Sequence, residues 1–325
     1  MTPGDKAVIE QWKQSLRQSH NHEISLGLLI TKNRTSLSFS SFCEELIELI
    51  PEIKLKKETS PENLPPAIKI GSNISYQALP AEKELEPFLQ ALTEKVAPTG
   101  RLNPVLQDKL KTLKVPAFIK IYITPHCPFC PQMVQKLLIM AIESELIRLI
   151  IIDGTLFPDL AQKDKIQSAP TILLDDQFRW TGAVDSKELV ELILKRDPAQ
   201  LSPASLQGLI EDGKAAEIAD LMIKSGKIFS SFLKLLLHDK WPVRLGAMVA
   251  YETLLERAPH LADQVLEPLW DKFTQVDDQV KGDILYIIGE SGQKKMRDKL
   301  EIVIAGNYGD EILEAAAEAL ENLQD

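Results

Sequence analysis

Cys127-Pro128-Phe129-Cys130 is the stretch of this 325-residue chain whose residue types and spacing suit chemistry of their own. Two thiols separated by two residues can close a disulfide and exchange it with another by thiolate attack. The same spacing supplies half of a zinc cage. The chain holds three cysteines and five histidines, and no second pair at ligand spacing follows. With only His126 nearby, the pair makes a poor four-ligand site, so redox chemistry is expected and no metal. In that chemistry Cys127 attacks, and Cys130, one turn further in, resolves the mixed disulfide.

The elements that must position the pair are legible on either side. Residues 118–124 are rich in β-branched and aromatic side chains and stop at Pro125, which predicts a strand. Residues 133–143 place apolar side chains at Met133, Val134, Leu137, Leu138, Ala141 and Ile142, which predicts a helix. The cysteines therefore sit at a strand-to-helix handover, where unpaired N–H groups and the helix dipole favour a thiolate. Downstream, the sequence predicts a strand at 147–152, a short helix at 158–163 and a strand opening directly after Pro170. A turn at Asp175-Asp176, a strand at 177–181 and a closing helix at 186–195 complete the series.

This order, with the cysteine pair and Pro170 at its key points, resembles the thioredoxin fold. The resemblance implies that Pro170 is cis and lies against the cysteines, and that the backbone of Ala169 hydrogen-bonds an extended substrate. Without it, Pro170 reads as an ordinary proline at the start of a strand. Pro128-Phe129 resembles the Pro-Tyr pair of glutaredoxins and protein disulfide oxidoreductases, which sets both residues at the substrate. Thioredoxins carry a buried Asp six residues ahead of the first cysteine. Ile121 stands there in this chain, so proton handling falls to water or another carboxylate. His126, when charged, would lower the pKa of Cys127; an exposed turn histidine is the equal alternative. His20 and His22 read as surface turn residues, and Phe178 and Trp180 as strand packing rather than groove lining.

Residues 1–97 repeat the order of elements without a Cys-x-x-Cys. Pro66-Ala67-Ile68 answers Pro170-Thr171-Ile172, and Ile30-Thr31 answers Ile123-Thr124. Carried on without gaps, the match sets Arg34 and Leu37 opposite Cys127 and Cys130, so this half is expected to be redox-silent. Cys43 falls beyond the matching place, on an apolar stripe with Leu46 and Ile47. It reads as a small core residue, with a third redox thiol as the sharper alternative. Tandem units of which only the second is active resemble the N-terminal domain of the alkyl hydroperoxide reductase flavoprotein subunit. The resemblance rests on Cys130-Pro131-Gln132-Met133-Val134-Gln135, Ile152-Asp153-Gly154-Thr155-Leu156-Phe157 and the paired prolines. Protein disulfide oxidoreductases share the two-unit plan. The resemblance covers about the first 200 residues, and no flavin-binding Gly-x-Gly-x-x-Gly follows.

Beyond residue 201 the predicted strands cease and helices follow one another. Three stretches, 239–247, 277–284 and 309–316, place Val243, Val280 and Ile312 at spacings of 37 and 32 residues. Their Asp, apolar and small-residue pattern resembles HEAT repeats, with a plain helical bundle as the alternative. The chain carries a net charge of −10, and from Ser205 onward 22 acidic residues face 13 basic ones. That balance argues against nucleic acid. It suits either a solubilising surface or a dock for a basic partner. No apolar run is long enough to span a bilayer, and the start of the chain lacks the pattern of a signal peptide, so a cytoplasmic protein is expected.

The sequence thus predicts α/β tandem thioredoxin folds followed by an all-α HEAT-like domain, divided as 1–97, 98–200 and 201–325. The expected activity is thiol–disulfide exchange on protein disulfides with no cofactor beyond the Cys127–Cys130 disulfide and with an upstream reductase. The alternatives are a non-catalytic interaction scaffold and an electron relay to a peroxiredoxin.

Overall fold

The computed structural model describes residues 1–16, 24–62, 64–96 and 102–323. His20, His22 and the end of the first predicted unit at residue 97 lie outside the described residues. Two compact units are present, Met1–Arg196 and Asp197–Asp325.

The first unit runs α1 (Pro3–Leu16), β1 (Ile24–Ile30), α2 (Ser36–Leu49), β2 (Ile53–Thr59), β3 (Ala67–Ile70), β4 (Ile74–Gln77) and α3 (Leu85–Val96). It continues with α4 (Pro104–Lys111), β5 (Ala117–Ile123), α5 (Cys130–Glu143), β6 (Ile147–Asp153), α6 (Pro158–Lys163), β7 (Thr171–Leu174), β8 (Phe178–Thr181) and α7 (Ser186–Lys195). Its strands form one eight-stranded sheet in the order β2-β1-β3-β4-β6-β5-β7-β8. The order is one four-stranded pattern used twice. In each half a central strand pairs parallel with the next strand and antiparallel with the third, which pairs antiparallel with the fourth.

The halves predicted as separate units are fused through this sheet. β4 runs parallel to β6, with Ile74 opposite Leu149. The reason is the edge: β6 alone would present a row of unpaired backbone groups, and β4 supplies their partners. Asn73 seals the junction. Its side-chain amide donates to Ala141 O (2.7 Å) and Ile147 O (2.9 Å), and its own carbonyl accepts from Leu149 N–H (2.8 Å). One hydrophobic core extends from Ile9 to Ile193 through both halves. At its far end Asp175, in the turn after β7, pairs with Arg196 and accepts from Phe118 N–H (3.0 Å).

The second unit runs α8 (Pro203–Glu211), α9 (Ala215–Ser225), α10 (Ser230–Leu236), α11 (Trp241–Arg257), α12 (Pro259–Trp270), α13 (Asp278–Glu290), α14 (Arg297–Ile304) and α15 (Asp310–Asn322). Successive helices pack as pairs. α9, α11, α13 and α15 lie side by side as one layer, and α10 joins α8 to α12 in a second. The buried Arg244 ties α11 to α13, donating from Nε to Asp283 Oδ2 (2.5 Å) and from Nη1 to His238 O (2.9 Å). Gly289 lets α13 and α15 approach closely, since a Cβ there would lie 3.0 Å from Ala319 Cα. Among the described residues no helix is long and apolar enough to cross a membrane.

Candidate functional site

β5, paired on both sides, delivers the chain to one end of the strands, and α5 takes it back. Between them Thr124 O accepts from Cys127 N–H (3.1 Å), which folds the turn so that the Cys127 sulfur lies over the first turn of α5. Cys127 and Cys130 form a disulfide, with Cα atoms 5.5 Å apart. No side chain caps α5, and its first turn carries no acidic residue. The group at the helix N-terminus is the Cys127 sulfur itself, which accepts from Cys130 N–H (3.1 Å). An N–H aimed at the sulfur and the positive end of the helix dipole both stabilise a thiolate at that atom once the disulfide is opened.

The two sulfurs differ in access. Cys130 is fully buried, and Cys127 is 8% exposed. Around them His126, Pro128 and Phe129 are exposed, Phe129 by 67%. Beside the Cys127 sulfur runs the Ser168–Thr171 turn. The Ala169–Pro170 peptide is the one cis bond among the described residues, and Ala169 O lies 3.5 Å from the Cys127 sulfur. Gly182 N–H donates to Pro170 O (2.8 Å), fixing this turn to the end of β8. The structure thus brings together Cys127, Cys130, Ala169 and Pro170, with Pro128, Phe129 and His126 on the rim. Phe178 and Trp180 are partly buried against the core, and Trp180 Nε1 donates to Glu188 Oε1 (3.2 Å).

Ile121 is buried on β5, so no carboxylate reaches the site from that strand. The other half does hold a buried carboxyl. Glu84 closes the 3₁₀ turn Glu82–Glu84 ahead of α3, and this turn packs against α5. Glu84 is 5% exposed, its Oε2 has no hydrogen-bond partner among the described residues, and burial raises its carboxyl to about 7. Tyr76, fully buried, has its phenol pushed further up by burial and then by the Glu84 charge. Residue pattern hides Glu84, because Glu82-Lys83-Glu84 looks like a solvated helix start. The signal that could reveal it is spacing: Glu84 falls on the same stripe as Phe88 and Ala91, both buried.

In the first half the strand match holds and the helix match shifts. Leu29 pairs with Ala67 as Tyr122 pairs with Thr171, which fixes the strands as the sequence aligned them. On the helices, however, buried Ser36, Phe39, Cys43 and Leu46 answer buried Cys130, Met133, Leu137 and Met140. The loop before α2 is one residue shorter than that before α5. Leu37, 80% exposed, therefore does not stand where Cys130 does; Ser36 does, with Asn33 in place of Cys127. Ser36 Oγ accepts from Thr31 N–H (3.1 Å) and donates to Thr31 O (3.0 Å). Cys43 is a core residue whose thiol is pushed up to about 12 by burial.

Comparison with known proteins agrees with this geometry. Residues 118–195 match the thioredoxin domain family. The alkyl hydroperoxide reductase AhpF of Pseudomonas aeruginosa is 26% identical over 156 residues, which are 46% of this chain and 30% of that protein. A protein named NADH dehydrogenase from Ferdinandcohnia aciditolerans is 23% identical over 196 residues, 58% of this chain and 36% of that protein. The chain spans about a third of the length of these curated relatives. Among solved structures, the N-terminal domain of AhpF from Enterococcus faecalis superposes with a TM-score of 0.51 at 22% identity, covering 59% of this chain and 100% of that one. A protein disulfide oxidoreductase from Aeropyrum pernix gives a TM-score of 0.53 at 17% identity, covering 60% and 94%. The chain carries a thioredoxin-like domain with homology to the N-terminal region of AhpF, in a two-half fold shared with protein disulfide oxidoreductases, followed by a helix-rich C-terminal unit.

Proposed function

We propose that the chain is a thiol–disulfide oxidoreductase acting on protein disulfides through Cys127 and Cys130. The observation that carries this reading is the placement of the Cys127 sulfur between the N-terminus of α5 and the Ala169–Pro170 turn. In the reducing direction the Cys127 thiolate attacks a substrate disulfide, forming a mixed disulfide and releasing one substrate sulfur as a thiolate. Cys130 then attacks the Cys127 sulfur. This breaks the mixed disulfide, frees the second substrate sulfur and leaves Cys127–Cys130 oxidised, so two electrons pass to the substrate. Cys130 is buried, and we assign Glu84, the buried carboxyl on the turn packed against α5, as the acceptor of its proton. Ala169 pairs its backbone with an extended substrate segment against Pro170, while Pro128 and Phe129 supply apolar contact. The only electron carrier in this scheme is the cysteine pair, which an upstream reductase must recharge. The helical unit, read as HEAT-like repeats, holds the client.

The test is trapping. Cys127→Ser abolishes reduction of an insulin disulfide by the dithiol-charged protein. Cys130→Ser accumulates a mixed disulfide with the client that dithiothreitol releases. Full reducing activity in Cys127→Ser overturns the reading, and partner binding and cellular phenotype left intact by Cys127→Ser favour a scaffold instead.

A second reading, relay of electrons to a thiol peroxidase, is favoured by the hydroperoxide reductases among the relatives. It predicts peroxide consumption that depends on an added peroxiredoxin.

A further inference from the structure

α11 buries Val243, Arg244, Ala247, Met248, Ala250, Tyr251 and Leu254 against its neighbours. Its outward side is unusual. At helical spacing it carries Trp241, Leu245 and Val249, exposed by 54%, 41% and 43%, and then Glu252 and Glu256. Single exposed apolar residues are ordinary, whereas a stripe of them is not. The stripe also widens onto the next helix. Tyr286 of α13 is 46% exposed, and its hydroxyl donates to Glu252 Oε1 (2.9 Å), which holds the ring beside the stripe. The apolar part extends about 12 Å along the helix. The acidic part coincides with the negative end of the α11 dipole and with exposed Glu290 at the end of α13. Of the nearby cations, Arg257 is paired to Asp220 (2.9 Å), and Lys240 lies at the opposite, apolar end.

We propose that this face is a docking site for an amphipathic helical segment of a protein partner, with apolar side chains at i, i+4 and i+8 and Lys or Arg beyond them. The apolar side chains cover Trp241, Leu245, Val249 and Tyr286, and the basic residues meet Glu252, Glu256 and Glu290. Charge complementarity selects this occupant, since the stripe ends in carboxylates and the unit as a whole is acidic. The inference deepens the client-holding role proposed for the helical unit and stands apart from the chemistry at Cys127.

The experiment uses the full chain and two fluorescein-labelled amphipathic peptides with the same leucine spacing, one with lysines on its polar face and one with glutamates. The lysine peptide binds, measured by anisotropy, and shifts tryptophan emission to the blue, a shift that Trp241→Phe removes. Glu252→Lys with Glu256→Lys weakens binding roughly tenfold, and Leu245→Asp with Val249→Asp removes it. Equal binding of the glutamate peptide, or unchanged affinity in Leu245→Asp/Val249→Asp, overturns the proposal. Self-association of the unmutated chain that this double substitution abolishes also overturns it, because a second copy is then the occupant. The trapping assay at Cys127 and Cys130 reads none of these outcomes, so the two readings fail separately.

Discussion

Replacing Glu84 by Gln separates the stability and the chemistry of the buried carboxyl. Burial raises this carboxyl from its ordinary 4.5 to about 7. A tenfold change in proton affinity is worth about 1.4 kcal/mol, so the difference amounts to about 3 kcal/mol. The sign follows from which state holds the proton. Below pH 4.5 the carboxyl is protonated folded and unfolded, and it costs nothing. Between 4.5 and 7 the unfolded chain ionises while the folded chain keeps its proton, so stability falls as pH rises. Above 7 the deficit is complete. Glu84→Gln cannot ionise, so from about pH 4.5 to about pH 8 the unmutated protein should lose about 3 kcal/mol relative to the variant. Urea unfolding of oxidised protein across that range measures it, with Trp241→Phe and Trp270→Phe leaving Trp12 and Trp180 to report on the first unit. A difference that stays constant to within about 1 kcal/mol refutes the burial argument. The second arm is kinetic. If Glu84 accepts the Cys130 proton, Glu84→Gln slows resolution of the mixed disulfide roughly a hundredfold near about pH 8 and removes the limb of the pH–rate profile near about 7. An unchanged profile alongside the stability effect confines Glu84 to a structural role.

Two further substitutions test the packing of each unit. Asp175→Ala leaves the buried Arg196 guanidinium with carbonyl partners alone, Ile193 O, Val115 O and Pro116 O, and unpairs Phe118 N–H. It should cost about 3–5 kcal/mol by urea unfolding, whereas Asp175→Asn, which keeps an acceptor and tolerates the φ of +52°, should cost less. Gly289→Ala drives a methyl into Ala319 Cα, a backbone atom with no route aside, and overpacking of about 1–3 kcal/mol outweighs a helix-propensity gain of about 1. Gly282→Ala on the same helix meets nothing within 4 Å and should stabilise by up to about 1 kcal/mol, so equal effects at the two glycines would contradict the close approach of α13 and α15.

Periodic signals made most of this fold legible. β-branched runs, helical stripes and prolines mark the strands and helices around Cys127, and the succession of helices beyond residue 201 is present. What escaped depends on long-range pairing. A one-residue difference in loop length is invisible to a gapless match, so Arg34 and Leu37 stood in for Asn33 and Ser36. Asp239 lies where a cap belongs, yet α11 has no side-chain cap, while Asp277 does accept from Val280 N–H (2.9 Å). Gly282 matched the small-residue pattern but faces open space, and the close packing is made by Gly289 seven residues later.

The position of Glu84 changes what the cysteine-free half is for. Its sites answering Cys127 and Cys130 hold Asn33 and Ser36, neither of which forms a disulfide. Yet β4 of that half covers the edge of β6, and Pro87, Gln90 and Ala91 of α3 lie against Gln135, Leu138, Ile139 and Ile142 of α5. α5 is the helix that begins with Cys130, so the helix presenting the thiolate-stabilising N–H groups is held in place by side chains from the other half. A second half on its own would expose both the β6 edge and this apolar side of α5. It would also lack the carboxyl, because Ile121 occupies the place where a thioredoxin carries its own. The helix that begins with Cys130 therefore belongs to the joined sheet, and the cysteine-free half supports it through α3 and the turn that bears Glu84.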